Sequence, residues 1–263
     1  NLEGSLKGRY SNTSDKGGDN HMIQGVVNVP LVEDTLAVRA VAYGFENSGF
    51  IDNVAASNPS SAQQGAIAAG GVARDQSEVG GDEYSGFRVT SLWTPTEELD
   101  LSLSYIRQDI DQQGQPESNL DFAEDYQQER LGVGPDGTRS ERLASDLTVT
   151  NLVVNYDLAW GQVSSSSSWL DYQSASDSDM SVLSAAFFGG AAMPYYNHGE
   201  KEVEVFTQEL RLSSAFEGNI QFVAGLYFED REIDSLQTWS WSGDSALDPA
   251  PGLNFFNVPG AES

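Results

Sequence analysis

The 263-residue sequence contains no cysteine. That excludes a disulfide framework, a thiolate nucleophile and a Cys-ligated metal centre. Histidine is nearly absent too: His21 and His198 are the only two. Neither sits in a catalytic or metal-binding motif, so both read as surface residues. Positive charge is scarce. Against 40 Asp and Glu there are 13 Lys and Arg, for a formal net charge of −27. A field of that sign repels nucleic acid, so no DNA or RNA partner is expected. Long apolar runs are missing as well. No stretch reaches the ~18 apolar residues of a membrane-crossing helix. The most apolar patch, residues 185–193 (AAFFGGAAM), is too short and is broken by Gly189 and Gly190. Strands are not excluded by this, because a transmembrane strand needs only ~9–11 residues with alternate positions apolar.

What is present suits long strands with many turns: 26 glycines, abundant serine and an aromatic share of 10%. The most informative stretch is residues 206–231 (FTQELRLSSAFEGNIQFVAGLYFEDR). Phe206, Gln208, Leu210 and Leu212 alternate with Thr207, Glu209, Arg211 and Ser213. Phe222, Ala224, Leu226 and Phe228 share a face on the returning strand. Such period-2 patterning puts one face against an apolar medium and the other against a polar one. The turn between them, residues 214–219, holds the Gly and Asn that hairpin loops favour.

The rest of the chain repeats this plan. Strands are predicted at 2–11, 22–29, 36–46, 84–93, 99–109, 142–156, 162–173, 200–213 and 219–233. The clearest alternation sets Leu99, Leu101, Leu103 and Tyr105 against Asp100, Ser102 and Ser104. The run Ser164–Ser168 is assigned to a strand, its small polar side chains suiting a wet lumen. Connections alternate in length. Short ones fall near 30–34, 94–98, 157–161 and 214–219, long ones at 47–82, 110–141, 174–199 and 234–263. In an up-and-down sheet alternate connections share an end, so short turns gather at one end and long loops at the other. The predicted fold is therefore all-β: an antiparallel up-and-down meander of about nine strands, an incomplete transmembrane barrel with short periplasmic turns and long extracellular loops. Tyr10, Tyr84, Trp93, Tyr105, Tyr156, Trp160 and Trp169, near strand ends, suit interfacial girdles. The chain opens at Asn1 rather than Met and stops in a loop-like stretch, so residues 1–263 read as a fragment of a longer protein.

Several segments carry a resemblance. Val27-Asn-Val-Pro-Leu31 is followed by Leu36-Ala-Val-Arg39 and Gly49-Phe-Ile-Asp-Asn53. Ser91-Leu-Trp-Thr-Pro95 precedes Leu99-Asp-Leu-Ser-Leu103, and Asn155-Tyr-Asp157 precedes the serine run with Trp169. Phe206-Thr-Gln-Glu-Leu-Arg-Leu-Ser-Ser214 with Gly225-Leu-Tyr-Phe228 is the most specific. In order and spacing these resemble the barrel domain of TonB-dependent outer-membrane receptors across essentially the whole chain. The resemblance implies a barrel in the bacterial outer membrane, closed by an N-terminal plug, contacting outer-membrane lipid. It implies import of a siderophore, cobalamin, haem or oligosaccharide, energised by the inner-membrane TonB complex. No plug or TonB-contacting segment is recognisable in these residues, and nine strands are too few to close that barrel. Two other classes stay open: a structural or adhesive barrel without transport, and a soluble carbohydrate-binding β-sandwich.

No enzyme activity and no cofactor are expected. Gly132-Val-Gly-Pro-Asp-Gly137 matches G-x-G-x-x-G but lacks the strand-to-helix setting that binds a dinucleotide, and reads as a turn. Asp109-Ile-Asp111 before Gly114 faintly resembles the start of a calcium loop, without the bidentate Glu at its required spacing. Acidic residues are too many to single out a catalytic pair. For ligand binding the expected surface is loop aromatics: Tyr195, Tyr196, Trp239 and Trp241, with Phe255 and Phe256. Arg39, Arg88 and Arg211 lie on strands among small or apolar residues. They are expected to face the lumen, because a charge facing lipid costs roughly 2–4 kcal/mol at mid-membrane.

Overall fold

The computed structural model describes residues 2–120, 125–133, 139–186, 190, 192–218 and 220–241. Nine strands make one antiparallel sheet: β1 (Glu3–Asn12), β2 (Asp19–Val32), β3 (Leu36–Asn47), β6 (Gly81–Trp93), β7 (Leu99–Gln113), β9 (Arg142–Leu158), β10 (Gly161–Asp179), β11 (Tyr195–Ser214) and β12 (Val223–Trp241). Each pairs with the next of these along the chain, so the sheet is an up-and-down meander whose open edges are β1 and β12. A second, three-stranded sheet joins β4 (Ile51–Val54), β5 (Asp75–Val79) and β8 (Gln127–Gln128). Two short helices, α1 (Ser61–Ala68) and α2 (Ser181–Ser184), complete the structure of the described residues.

Cross-strand partners share a face, and the register therefore sorts the side chains. On one face, called outward here, lie Val38, Val89, Leu101, Leu103, Leu152, Val154, Leu210 and Leu226. The opposite, inward face carries Arg39, Thr90, Ser102, Ser104, Asn151, Asn155, Ser164 and Ser166 at the same heights. This distribution holds only from the short-turn rim up to the row Val89–Tyr105–Thr150–Trp169–Phe206, whose members pair directly in turn. Above that row, on β7 to β12, the faces exchange character. Outward positions become Arg107, Asp109, Asp146, Asp171, Glu204, Glu202 and Glu232, while inward positions become Ile106, Val149, Leu147, Leu170, Tyr172, Val205 and Val203.

The inversion explains why several strands outrun their predicted ends. β10 reaches Asp179, not 173, and β11 begins at Tyr195, not 200. A pattern that swaps faces breaks the alternation and reads like a strand end. β12 starts at Val223 and runs to Trp241, and Asn219 of the predicted turn lies outside the described residues. Pro30 falls inside β2, where the pairing with β3 shifts register between Pro30 and Val32. A bulge is a position where proline's missing N–H does no harm.

The short turns form a continuous rim. Thr94 N donates to Thr35 O at 2.8 Å, Asp157 N to Glu98 O at 2.7 Å and Ala215 N to Trp160 O at 2.7 Å, so each turn is bonded to the one before it. Gly161 is required at the third: a Cβ there would lie 2.2 Å from the Ser213 carbonyl oxygen.

At the opposite rim the loops predicted at 47–82, 110–141 and 174–199 are not structureless. They supply the small sheet and both helices, which pack together as a cap. Its core is Ala66, Leu131, Val133, Ala192 and Tyr196. Its strands have four, five and two residues, too few for an alternation to register in sequence. α1 is opened by Ser60, whose hydroxyl accepts from Gln63 N at 3.2 Å.

Candidate functional site

The inward face is the candidate site, with the cap standing at its upper end. Below the inversion row it is a hydrogen-bonded polar wall. Arg39 Nη1 donates to Asn28 Oδ1 at 3.1 Å and Arg88 Nε to Thr90 Oγ1 at 3.2 Å. Thr90 and Ser104 share a hydroxyl bond of 3.0 Å, and Asn155 Nδ2 donates to Asp100 Oδ1 at 3.1 Å. The register sets Arg39, Arg88 and Arg211 on the inward face, Arg39 and Arg211 on the polar wall and Arg88 one position above the row, between Val41 and Ile106. The serine run divides between the faces. Ser164, Ser166 and Ser168 point inward, but Ser165 and Ser167 are outward, where both bond to Gln208. The expectation that the run lines the lumen thus holds for alternate members only, as period 2 demands.

Above the row the inward wall turns aromatic and aliphatic. Phe45 and Tyr84 stack with centroids 4.5 Å apart, and Tyr43 follows at 6.2 Å from Phe45. Tyr84 was expected in the outer girdle. It pairs with Phe45 and Ile110 on the inward face, because it lies an odd number of residues from outward Phe87. Trp93, Tyr105, Tyr156 and Trp169 are outward and exposed, in two rows that bracket the apolar band. Tyr10 stands higher, on β1, where its hydroxyl donates to Asp19 at 2.8 Å.

The four expected ligand aromatics do not project from a loop. Tyr195 and Tyr196 open β11, 7% and 4% exposed. Tyr196 is part of the cap core, and burial pushes its phenol far above the ordinary value. Tyr195 stacks on Trp239 of β12 at 5.2 Å. Trp241 lies opposite Tyr195 in the backbone register, and nothing further is described of it. Phe255 and Phe256 lie outside the described residues. Pairing along two long strands, invisible as a pattern, turned presumed loop aromatics into strand residues.

The cap is joined by buried polar groups that sequence reading missed. Asp179, the last residue of β10, is fully buried. Its carboxylate accepts from Leu131 N at 2.8 Å, Ser181 N at 3.0 Å and the Ser181 hydroxyl. Its own N–H donates to Glu141 Oε1 at 2.8 Å, and its carbonyl accepts from Arg130 Nη1 at 2.7 Å. Arg130 Nη2 reaches Glu117 at 2.9 Å. Asn53 of β4 brackets the Arg130 peptide, donating to its carbonyl at 2.8 Å and accepting from its N–H at 2.6 Å. Burial pushes the Asp179 and Glu141 carboxyls above their ordinary values, against the pull of Arg130. Gly132 and Val133 of the glycine motif belong to this cap, with Val133 in its core, while residues 134–138 are outside the described set.

Among the described residues metal-ligand candidates are few. Asp109 and Asp111 lie on β7 rather than in a loop, paired with Arg107 and Arg142, which rules out a calcium-loop geometry for them. Asp171, Glu202 and Glu204 bring carboxylate oxygens within 4.8 Å of one another on the outward face above the inversion row. His21 lies against the Tyr10 ring at 5.4 Å, and His198 Nδ1 is 2.9 Å from Asp177.

An open up-and-down sheet with an apolar outer band, a polar inner wall, one tight rim and one capped rim has the fold of part of a β-barrel of the kind seen in TonB-dependent receptors. The chain is similar in structure to the ferric yersiniabactin uptake receptor FyuA from Yersinia pestis, with a TM-score of 0.65 and 14% identity over 91% of this chain. It is also similar to the ferric citrate transporter FecA in its unliganded form, with a TM-score of 0.66 and 10% identity over 95% of this chain. It spans 32% of the length of each. No protein-family model matches the sequence, and no curated protein matches it. No helix among the described residues is long and apolar enough to cross a membrane.

Proposed function

We propose that these residues are one part of the barrel wall of a bacterial outer-membrane transporter that imports a scarce nutrient, a ferric siderophore first among the candidates. The observation that carries this reading is the inversion row. A face that is apolar below one height and acidic above it, on five neighbouring strands from β7 to β12, fits a wall that crosses a membrane and then emerges into water. The polar inner wall fits a hydrated lumen, and Arg39, Arg88 and Arg211 are positioned to meet a plug domain supplied elsewhere in the parent protein. The inner-membrane TonB complex would then act through that plug. The likeness to two proteins that handle ferric ligands supports iron as the first cargo to test. Tyr195 and Trp239, at the capped rim, are the proposed aromatic contacts nearest the mouth.

The test is uptake of ⁵⁵Fe-labelled siderophores by cells that express the full-length parent protein, with and without a functional TonB complex. Energy-dependent accumulation that is lost on deletion of the parent supports the reading. Unchanged uptake across a panel of ferric chelates, cobalamin and haem would redirect it to a structural barrel.

A further inference from the structure

Asp179 and Glu141 are both at least nine-tenths buried, and they share one nearby cation, Arg130. Asp179 has its three donors and suits an ionised carboxylate. Glu141 differs. Its Oε1 accepts from Asp179 N, and the Gln115 backbone N–H also favours its ionised form, but its Oε2 is buried with no hydrogen-bond partner. Arg130 Nη1 comes only to 4.0 Å of Oε1, while its other arm is held by Glu117 at 2.9 Å. Arg74 and Arg139 line the same small cavity as Glu141, Arg139 turned to Asp177 at 3.2 Å and Arg74 exposed, and buried Glu129 takes the Ser60 N–H. The Tyr196 phenol on the Asp179 side stays neutral. An ionised oxygen without a partner in such a place is far costlier than a neutral one.

We propose that the three loops of the cap are locked together by a proton on Glu141, and that they loosen as one unit when that proton leaves. The coupling follows from the contacts. Glu141 anchors the Asp179 backbone, Asp179 anchors Leu131 and Ser181, and Arg130 ties the same point to Asn53 of the first loop. A polar cavity of about 40 Å³ bordered by Asn53, Gln128, Arg130 and Glu141 gives a single water room beside the carboxyl and gives the proton a way out. Burial holds the Glu141 carboxyl above its unfolded value. The contribution of Glu141 is therefore complete below the ordinary carboxylate range and is lost as pH rises through the raised folded value, and Asp179, raised by burial as well, shifts in the same direction. The inference concerns the cap alone and does not rest on what, if anything, is transported.

Hydrogen–deuterium exchange of the full-length protein in detergent tests it, with peptides covering residues 51–54, 127–131 and 179–184 compared at pH 5 and pH 8. After correction for intrinsic exchange, all three should lose protection together, by at most about tenfold per pH unit for a single proton. Peptides from residues 99–105 and 150–156 should not respond. Glu141→Gln, which mimics the protonated group, should keep the cap protected at both pH values. Asp179→Asn should lower protection at both while leaving the pH dependence in place. Three loops that respond separately, or a Glu141→Gln cap as pH-sensitive as the wild type, would overturn the proposal. So would a Glu141→Gln chain that fails to assemble, or an Asp179→Asn cap that has lost its pH response.

Discussion

A charge walked along β9 tests both the face assignment and the height of the membrane boundary. Leu152 is outward, between Leu103 and Ser167, inside the apolar band. Val153 is inward, between Ser102 and Ser166 on the polar wall. Thr148 is outward again, but above the inversion row, between Arg107 and Asp171. Arginine facing hydrocarbon near mid-membrane costs roughly 2–4 kcal/mol and falls toward zero at the interface. Leu152→Arg should therefore lower the folded-to-unfolded ratio about 30- to 700-fold, at tenfold per 1.4 kcal/mol. Val153→Arg and Thr148→Arg should stay within about 0.5 kcal/mol, the range of ordinary surface changes. The assay is equilibrium unfolding of the full-length protein refolded into phospholipid vesicles, followed by tryptophan emission. Equal costs at 152 and 153 would refute the face assignment. A Thr148→Arg cost as large as that of Leu152→Arg would refute the boundary.

Three further outcomes follow from local geometry. A Cβ on Gly86 would lie 2.7 Å from both the Arg107 carbonyl oxygen and the Tyr43 hydroxyl, so Gly86→Ala should destabilise the β6–β7 pair by about 1–3 kcal/mol, read in the same unfolding assay. Asn53→Ala strips three hydrogen bonds from the junction of the first two loops and should cost about 1–3 kcal/mol within the cap. Exchange should then rise at 51–54 and 127–131 with the lower strands unchanged, and a flat response would show that the bracket is idle. The bond to Asp177, with a weaker one to Glu200, raises the His198 imidazole above its ordinary value despite partial burial. Its contribution is then complete below the unfolded value of about 6.5 and lost as pH rises through the raised one. An NMR titration should place His198 above that reference and Asp177→Asn should lower it, whereas a wild-type value at or below the reference contradicts the contact.

The sheet was legible in sequence because a single-phase alternation announces it. Leu99 to Tyr105 and Phe206 to Leu212 keep their apolar residues at even spacing, and every short turn carries its own chemistry. The cap was not legible. Its contacts join Asn53 to Arg130 and Asp179 to Leu131, pairs separated by 77 and 48 positions, with no periodicity to betray them. Two of its five core residues and three of the four packed against them are alanine, which leaves a pattern reader little to count. The aromatic site suffered from the same blindness. Tyr195, Tyr196 and Trp239 lie beyond the inversion row, where the phase heard in the lower strand no longer applies.

That change of phase is the strongest physical statement the structure makes. A sandwich packed against a second sheet keeps the same face apolar for the full length of a strand, since its partner sheet covers that face throughout. Here outward Leu101, Leu103 and Tyr105 give way to outward Arg107 and Asp109 on one strand, and outward Leu210 and Phe206 give way to Glu204 and Glu202 on another. The change falls on directly paired residues of neighbouring strands, so it marks a level in the surroundings rather than a feature of any one strand. From Leu99 to Tyr105 the apolar stretch is about 20 Å along the strand. The aromatic rows of Tyr156 and Tyr105 lie within that length, which is of the order of, though shorter than, the ~25 Å apolar band of outer-membrane barrels. Above it, strands such as the 20-residue β11 continue well past the ~9–11 residues that a crossing needs. The extra length lifts the cap clear of the band and leaves an apolar inward wall beneath it, Tyr43 through Tyr172, with acidic residues on the opposite face. A soluble carbohydrate-binding sandwich would have no use for such a level.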